Sequence, residues 1–329
     1  MSIHPDNILK MGIAGVGHMG QYHVNVASSL ATHQIVGIYD ANPERAKEMG
    51  DKFKIPVFSR AEDLFEKTDA VTVAVPTIYH YDVAKKALEM NNHVLIEKPI
   101  TETLEQAREI MEIAQRNKRI LQVGHVERFN GAVMELHKIV MNPSLITTRR
   151  MSPFSGRIAD VGVVLDLLIH DLDIVLNLVK SNVREYWASG SRSKSGYEDN
   201  AQIGLSFENG TIANLIASRM SHKKERTLSV VQDDSFIFLN YTNQDIEIHR
   251  EGSSALDLTR ENIRYSQEST VEKLFIHKDN PLKSEHVHFY NTIMAKENPI
   301  VPNEKDLETL SIALGSLEKI KSTMSNYGK

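Results

Sequence analysis

The sequence predicts an α/β fold that opens on a doubly wound parallel sheet, and three observations carry that prediction. Strand-like and helix-like segments alternate from residue 10 to residue 125. The turn after the first strand reads Gly15-Val16-Gly17-His18-Met19-Gly20. Beyond residue 125, strand-like runs replace the alternation. Near-continuous apolar strands separated by helices belong to a parallel sheet covered on both faces.

The elements follow in order. "KMGIAGVG" (10–17) is a short β run ending in glycines, and "HMGQYHVNVASSL" continues as a helix. A strand at 33–40, a helix at 41–53, a strand at 70–77 and a helix at 78–91 come next. A strand at 93–99, a helix at 103–117 and a strand at 119–125 complete the domain. Thr103 and Gln106 form a capping box for the last of these helices. In the second half, "NAQIGLSFENGTIANLIASR" (200–219) reads as two strands joined by a turn at 208–210, and 236–250 as another hairpin. Two helical stretches close the chain.

At 329 residues the chain suggests two domains, expected at 1–124 and 125–329, with the C-terminal helix able to return to the first. Composition is that of a globular protein: 41% hydrophobic, 25% charged, net charge −5. Nothing resembles the basic footprint of a nucleic-acid binder. Cysteine is absent, which excludes disulfides, thiol nucleophiles and Cys-ligated metals. The N-terminus lacks a charged segment followed by a long apolar run. The most apolar stretch, "VGVVLDLLIHDLDIVLNLV" (161–179), carries Asp166, His170, Asp171 and Asp173. A membrane helix needs ~20 mostly uncharged residues. A cytoplasmic protein with no membrane partner is expected.

The G-x-G-x-x-G turn follows a strand and opens a helix, with Asp40 ending the second strand twenty residues after Gly20. Together these are a dinucleotide fingerprint. Gly15 permits the turn, Gly17 lets the backbone approach a pyrophosphate, and Gly20 lets helix pack on strand. Asp40 suits the ribose hydroxyls of NAD and repels the 2′-phosphate of NADP; no arginine follows it directly, and Arg45 lies a helical turn onward. Asp40 also fits as an N-cap for the next helix. Strand ends in such a fold face the ligand crevice. The expected cofactor contacts are Gly15, Gly17, His18, Met19, Asp40, Val75, Pro76, Thr77, His80, Glu97 and Lys98.

Three carboxylates and an imidazole in an apolar helix each need a partner, a wet cleft or a task. Asp166 and His170, four apart, share a helix face. Asp173, three from His170, is placed to assist it, and Asp171 to make an ion pair or a capping contact. His286 and His288 are two apart on a helix, point to different faces, and read as structural; no metal site is expected. His125, just past the fifth strand, is a pocket residue or a loop histidine. "TTRRMSPFSGR" (147–157) gathers Arg149, Arg150 and Arg157. They are solvated loop arginines or, because the guanidinium fork matches phosphate oxygens, a phosphate clamp.

The fingerprint, "AVPTIYH" (74–80), "EKP" (97–99), "VGHVERFN" and "LDLLIHDLD", in this order, resemble the Gfo/Idh/MocA oxidoreductases over essentially the whole chain. The resemblance implies a second α+β domain on an open, largely antiparallel sheet that carries the substrate pocket and often the oligomer contact. It places the catalytic lysine on Lys98 and the catalytic Asp and His on Asp166 and His170. On that reading both elements meet at the nicotinamide. His170 takes the hydroxyl proton, Lys98 stabilises the developing negative oxygen, and Asp166 orients His170. His125, Arg128, Arg149, Arg150 and Arg157 are then the expected substrate contacts.

Within the family the segments look most like the enzymes that oxidise the 3-hydroxyl of a UDP-N-acetyl-hexosamine. Their 3-keto product feeds an aminotransferase making 3-amino sugars for lipid A or surface polysaccharide. Gly131 departs from that pattern, where proline is expected. A homo-oligomer, dimer or tetramer, is implied. The alternatives are a free-sugar or inositol dehydrogenase and, in a different class, a dinucleotide-binding sugar-responsive regulator. Lys98, Asp166 and His170 together argue against the regulator, which needs no proton-transfer set.

Overall fold

The computed structural model describes residues 8–155, 161–258 and 263–324. They fall into two compact units: Met1–Phe129 with Asn280–Ser311, and Asn130–Asp279 with Ile312–Lys329.

The first unit runs β1 (Leu9–Ala14), α1 (His18–Ser28), β2 (His33–Tyr39), α2 (Pro43–Phe53), α3 (Ala61–Phe65), β3 (Ala70–Val73), α4 (His80–Glu89), β4 (His93–Glu97), α5 (Leu104–Arg116) and β5 (Leu121–Gly124). Its sheet is parallel throughout, in the order β2-β1-β3-β4-β5. β1 is an interior strand, and every residue in it but Lys10 is buried. This is why it reads as a continuous apolar run rather than an alternating one. The capping box on α5 is present: Thr103 Oγ1 accepts from the Gln106 N–H, and Gln106 Oε1 from the Thr103 N–H, both at 3.3 Å.

The second unit begins with α6 (Gly131–Ile139) and β6 (Pro143–Met151). A π-helical turn (Val164–Leu168) then leads into α7 (Ile169–Leu178). The strands β7 (Val183–Ser191), β8 (Asn200–Phe207), β9 (Ile212–Ser218), β10 (Glu225–Gln232), β11 (Ser235–Asn240), β12 (Asp245–Leu258) and β13 (Ile263–Leu274) follow. With β6 they form one sheet ordered β13-β12-β11-β10-β6-β9-β8-β7. Its pairs are antiparallel except β6 with β9, which is parallel. Both predicted hairpins are present, β8–β9 with Gly210 at φ +90° and β11–β12. α6 and α7 cover one face, where Leu136, Leu168 and Leu172 pack with Ile146, Ile203, Phe207, Leu215 and Leu228.

α8 (Pro281–Ile293) returns to the first unit. There Phe289 and Tyr290 join Leu9, Met11, Ala27 and Leu95, and Leu282 packs on Val26 and Leu30. α9 (Asn303–Met324) crosses from the first unit to the second at Ser311. No helix among the described residues is long and apolar enough to cross a membrane.

Candidate active site

In the first unit the glycine turn is built as its spacing requires. Gly15 has φ +87°, a left-handed conformation that glycine adopts without strain. Its N–H bonds the Tyr39 carbonyl at 2.8 Å. A Cβ on Gly20 would fall 2.0 Å from the Gly15 oxygen, so α1 starts tight against the turn. A Cβ on Gly17 would meet nothing within 4 Å, and the backbone there faces open space. A cavity of about 750 Å³ is lined by Gly15, Gly17, Asp40, Arg45, Val75 and Pro76, among others. Its size, the bare Gly17 backbone and the Asp40 carboxylate fit a dinucleotide: the turn for a pyrophosphate, Asp40 for ribose hydroxyls.

Asp40 also organises the turn. Its Oδ2 accepts from the Val16 N–H at 2.8 Å and its Oδ1 from the Asn42 N–H at 2.9 Å. The N-cap of α2 is Asn42, not Asp40. Arg45 donates from Nε to the Val16 carbonyl at 2.9 Å and pairs with Glu48 at 2.7 Å. His18 and Met19 begin α1, where His18 is exposed with its ring edge-on to Tyr22. Thr77 begins a single 3-10 turn before α4.

Two expected cofactor contacts are buried and engaged within the protein. His80 is buried, with Nδ1 2.8 Å from the Pro99 carbonyl and Nε2 2.9 Å from the Val75 carbonyl. It ties the ends of β3 and β4 together, and burial lowers its pKa. Glu97 is also buried: Oε1 accepts from His23 Nε2 at 2.8 Å and Oε2 from the Lys98 N–H at 3.2 Å. Burial pushes this carboxyl up, but the His23 hydrogen bond and nearby Lys98 bring it below its ordinary value. Lys98 follows β4, half-buried.

In the second unit Asp166 lies in the π turn and His170 in the first turn of α7, both half-buried. Periodicity predicts one continuous α-helix; a widened turn of this kind recurs at functional sites. Glu198 holds its start. The Glu198 carbonyl accepts from the Val163 N–H at 3.0 Å, and its Oε1 from the Val164 N–H at 3.1 Å. Asp171 makes the expected ion pair. Arg150 grips it with both prongs, Nε–Oδ2 at 3.0 Å and Nη2–Oδ1 at 2.9 Å, and lies over the Tyr241 ring. Asp173 Oδ1 accepts from Asn177 Nδ2 at 3.1 Å.

Among the described residues, the arginines of the predicted phosphate clamp are not gathered at one place. The segment at 147–151 is not a loop but the end of β6, and successive strand residues point to opposite faces. Arg150 points inward, is 2% exposed and is engaged by Asp171. Arg149 points outward and pairs with Glu225 on β10 at 3.0 Å. Arg157 lies outside the described residues. Arg128 is likewise no open substrate contact, since it is buried and paired with Asp306. His125 is buried, its Nε2 3.8 Å from the same carboxylate.

His286 and His288 do point to different sides of α8. His286 is buried, while His288 bonds Glu297 at 3.0 Å. The sequence missed that His286 meets His23, at 2.9 Å, although 263 residues separate them. It also missed Glu198 as the anchor of the π turn. No local pattern marks either contact.

Residues 9–125 match the model described as the oxidoreductase family with an NAD-binding Rossmann fold, and residues 131–238 match the GFO/IDH/MocA C-terminal domain. A UDP-N-acetylglucosamine 3-dehydrogenase of Acidithiobacillus ferrooxidans is 31% identical over 249 residues, covering 75% of this chain and 79% of that protein. A crystal form of that enzyme superposes with TM-score 0.87 at 28% identity over 95% of this chain and 98% of the other. A scyllo-inositol 2-dehydrogenase (NAD(+)) of Bacillus subtilis is 25% identical, covering 76% of this chain and 79% of that protein. The chain belongs to the GFO/IDH/MocA family of NAD-binding oxidoreductases.

Proposed function

We propose that the protein oxidises the 3-hydroxyl of UDP-N-acetylglucosamine to a 3-keto sugar nucleotide with NAD. The observation that carries a dehydrogenase reading is that one chain holds the Asp40-bearing glycine cavity, Lys98 at the end of β4, and the Asp166/His170 pair on the widened turn. The sugar nucleotide is supported by the likeness to the A. ferrooxidans enzyme over most of both chains.

The glycine turn and Asp40 hold the dinucleotide. NAD, when bound, supplies the hydride acceptor. His170 accepts the hydroxyl proton, a role for which the imidazole side chain is chemically suited. Asp166 favours the imidazolium that results. Lys98 donates to the same oxygen as negative charge develops on it. A general base typically contributes ~10²–10⁴-fold, so His170→Ala should lose a rate factor of that order with NAD binding retained.

A free cyclitol or sugar is the second reading. It gains from the fate of the arginines, because Arg128, Arg149 and Arg150 all sit in ion pairs. NADH formation with UDP-N-acetylglucosamine, other UDP-sugars, free sugars and inositols decides between the two. Turnover of inositol with none of any UDP-sugar would replace the first reading with the second.

In the cell the keto product would be consumed by an aminotransferase, and the reading is of a cytoplasmic enzyme of 3-amino sugar synthesis for lipid A or surface polysaccharide. A homo-oligomer fits the sheet face opposite α6 and α7. Ile212, Val231, Phe236 and Val271 form an exposed apolar row across its strands, and Val231→Glu should reduce the molar mass measured by light scattering.

A further inference from the structure

Behind Lys98 lies a chain of buried side chains that the proposed chemistry does not use. Glu97, His23 and His286 come from β4, α1 and α8, all within the first unit. His23 Nε2 faces Glu97 Oε1 at 2.8 Å, and His23 Nδ1 faces His286 Nε2 at 2.9 Å. With both rings neutral and Glu97 ionised, one proton arrangement satisfies both contacts. A carboxylate only accepts, so His23 donates from Nε2. Its Nδ1 is then a lone pair, and His286 donates to it from Nε2. This leaves Nδ1 of His286 as a bare acceptor, and that atom is buried without a hydrogen-bond partner. Burial, and then the neighbouring His23 and His33, push the His286 pKa well down, which keeps that ring neutral.

The far end of the chain is what matters for chemistry. Glu97 Oε2 accepts the N–H of Lys98 itself. A second carboxyl, Glu285, is close enough to repel Glu97 and is fully buried, and both its oxygens lack hydrogen-bond partners. Burial, and then the Glu97 charge, push the Glu285 carboxyl well up, against the pull of Arg128. The two buried carboxyls are thus shifted in opposite directions, down for the one with donors and up for the one without.

We propose that the relay His286–His23–Glu97 is a positioning device for Lys98: it fixes the Glu97 carboxylate in one rotamer, and that carboxylate pins the Lys98 backbone from which the amine is aimed. This rests on the reading of Lys98 as the oxyanion donor. A small misplacement of a reacting group can cost up to ~10²-fold in rate, so the device should act on turnover and leave the affinity for NAD largely alone.

The test is a double-mutant cycle between Glu97→Gln and Lys98→Ala, following kcat with the best substrate of the panel, the NAD dissociation constant and the unfolding midpoint. Glu97→Gln keeps the shape and removes the charge. It should cut kcat by about tenfold or more with little change in NAD affinity. In the Lys98→Ala background the same change should cost almost nothing, because the group being aimed is gone. His23→Gln retains a donor to Glu97 and should keep most of the turnover; His23→Leu should lose it. Multiplicative effects of Glu97→Gln and Lys98→Ala, or full turnover in His23→Leu, overturn the proposal. If Lys98→Ala alone turns over normally, the role given to Lys98 fails first, and the positioning device fails with it.

Discussion

Two residues carry expectations that separate one role from another. Asp40 faces the glycine cavity and also accepts two backbone N–H groups. Its charge should keep NAD binding tighter than NADP by about tenfold or more, a difference of ~1.4 kcal/mol. Fluorescence titration of both cofactors checks this, and equal affinities in the unaltered protein would refute the repulsion argument. Asp40→Ala should narrow the gap while weakening NAD as well, because the Val16 and Asn42 N–H groups lose their acceptor. Arg150 tests a buried pair. Removing it strands the Asp171 carboxylate, and breaking such a pair typically costs ~3–5 kcal/mol. Arg150→Ala should therefore unfold at lower denaturant, whereas Arg150→Met with Asp171→Leu should recover most of the loss. A raised KM for a UDP-sugar with unchanged stability would return Arg150 to the substrate. This residue also shows what a strand hides in its sequence. Adjacent arginines look solvent-facing in a sequence, yet on a strand one of them must turn inward, and its partner lies 21 residues away.

At the scale of elements, the βα alternation was legible because β1, β3 and β4 are largely buried apolar runs and the longer helices between strands bury one face. The turn was legible because backbone sterics demand those glycines. Gly20→Ala puts a Cβ 2.0 Å from the Gly15 oxygen and forces α1 off the turn. Overpacking of this kind costs ~1–3 kcal/mol, so both the unfolding midpoint and NAD affinity should fall. Unchanged NAD affinity would mean that the helix start plays no part in binding. Less was legible elsewhere. The π turn at 164–168 has the same apolar spacing as an α-helix, and the carboxylate that accepts from its first N–H belongs to Glu198, a loop residue remote in sequence. α3 and α6 are too short for periodicity to mark. β6 was hidden by its arginines, and its parallel partner β9 sits beyond two other strands in the chain.

For the whole molecule, buried imidazoles set a pH dependence of stability. Burial lowers the pKa of His33 to about 4, and burial followed by the neighbouring Arg119 lowers that of His93 to about 4, from an ordinary 6.5. Below 6.5 the unfolded chain binds protons that the folded one refuses. Their contribution is therefore fully present above 6.5 and is lost as pH falls toward 4. Unfolding scans should show the midpoint dropping across that window, and His33→Gln should flatten part of the drop. An identical profile in the variant would remove His33 from the account.

The return of α8 to the first unit has a consequence for how the chain is made. Leu9, Met11, Ala27 and Leu95 are covered by Phe289 and Tyr290, and His23 finds its neighbour in His286. The ribosome supplies that cover only after residues 130–279 have been made. During synthesis the parallel sheet therefore waits with one flank bare. An arrest in the second half of the message would leave a nucleotide-binding lobe that has its glycine turn but lacks its cladding, a natural client for chaperones.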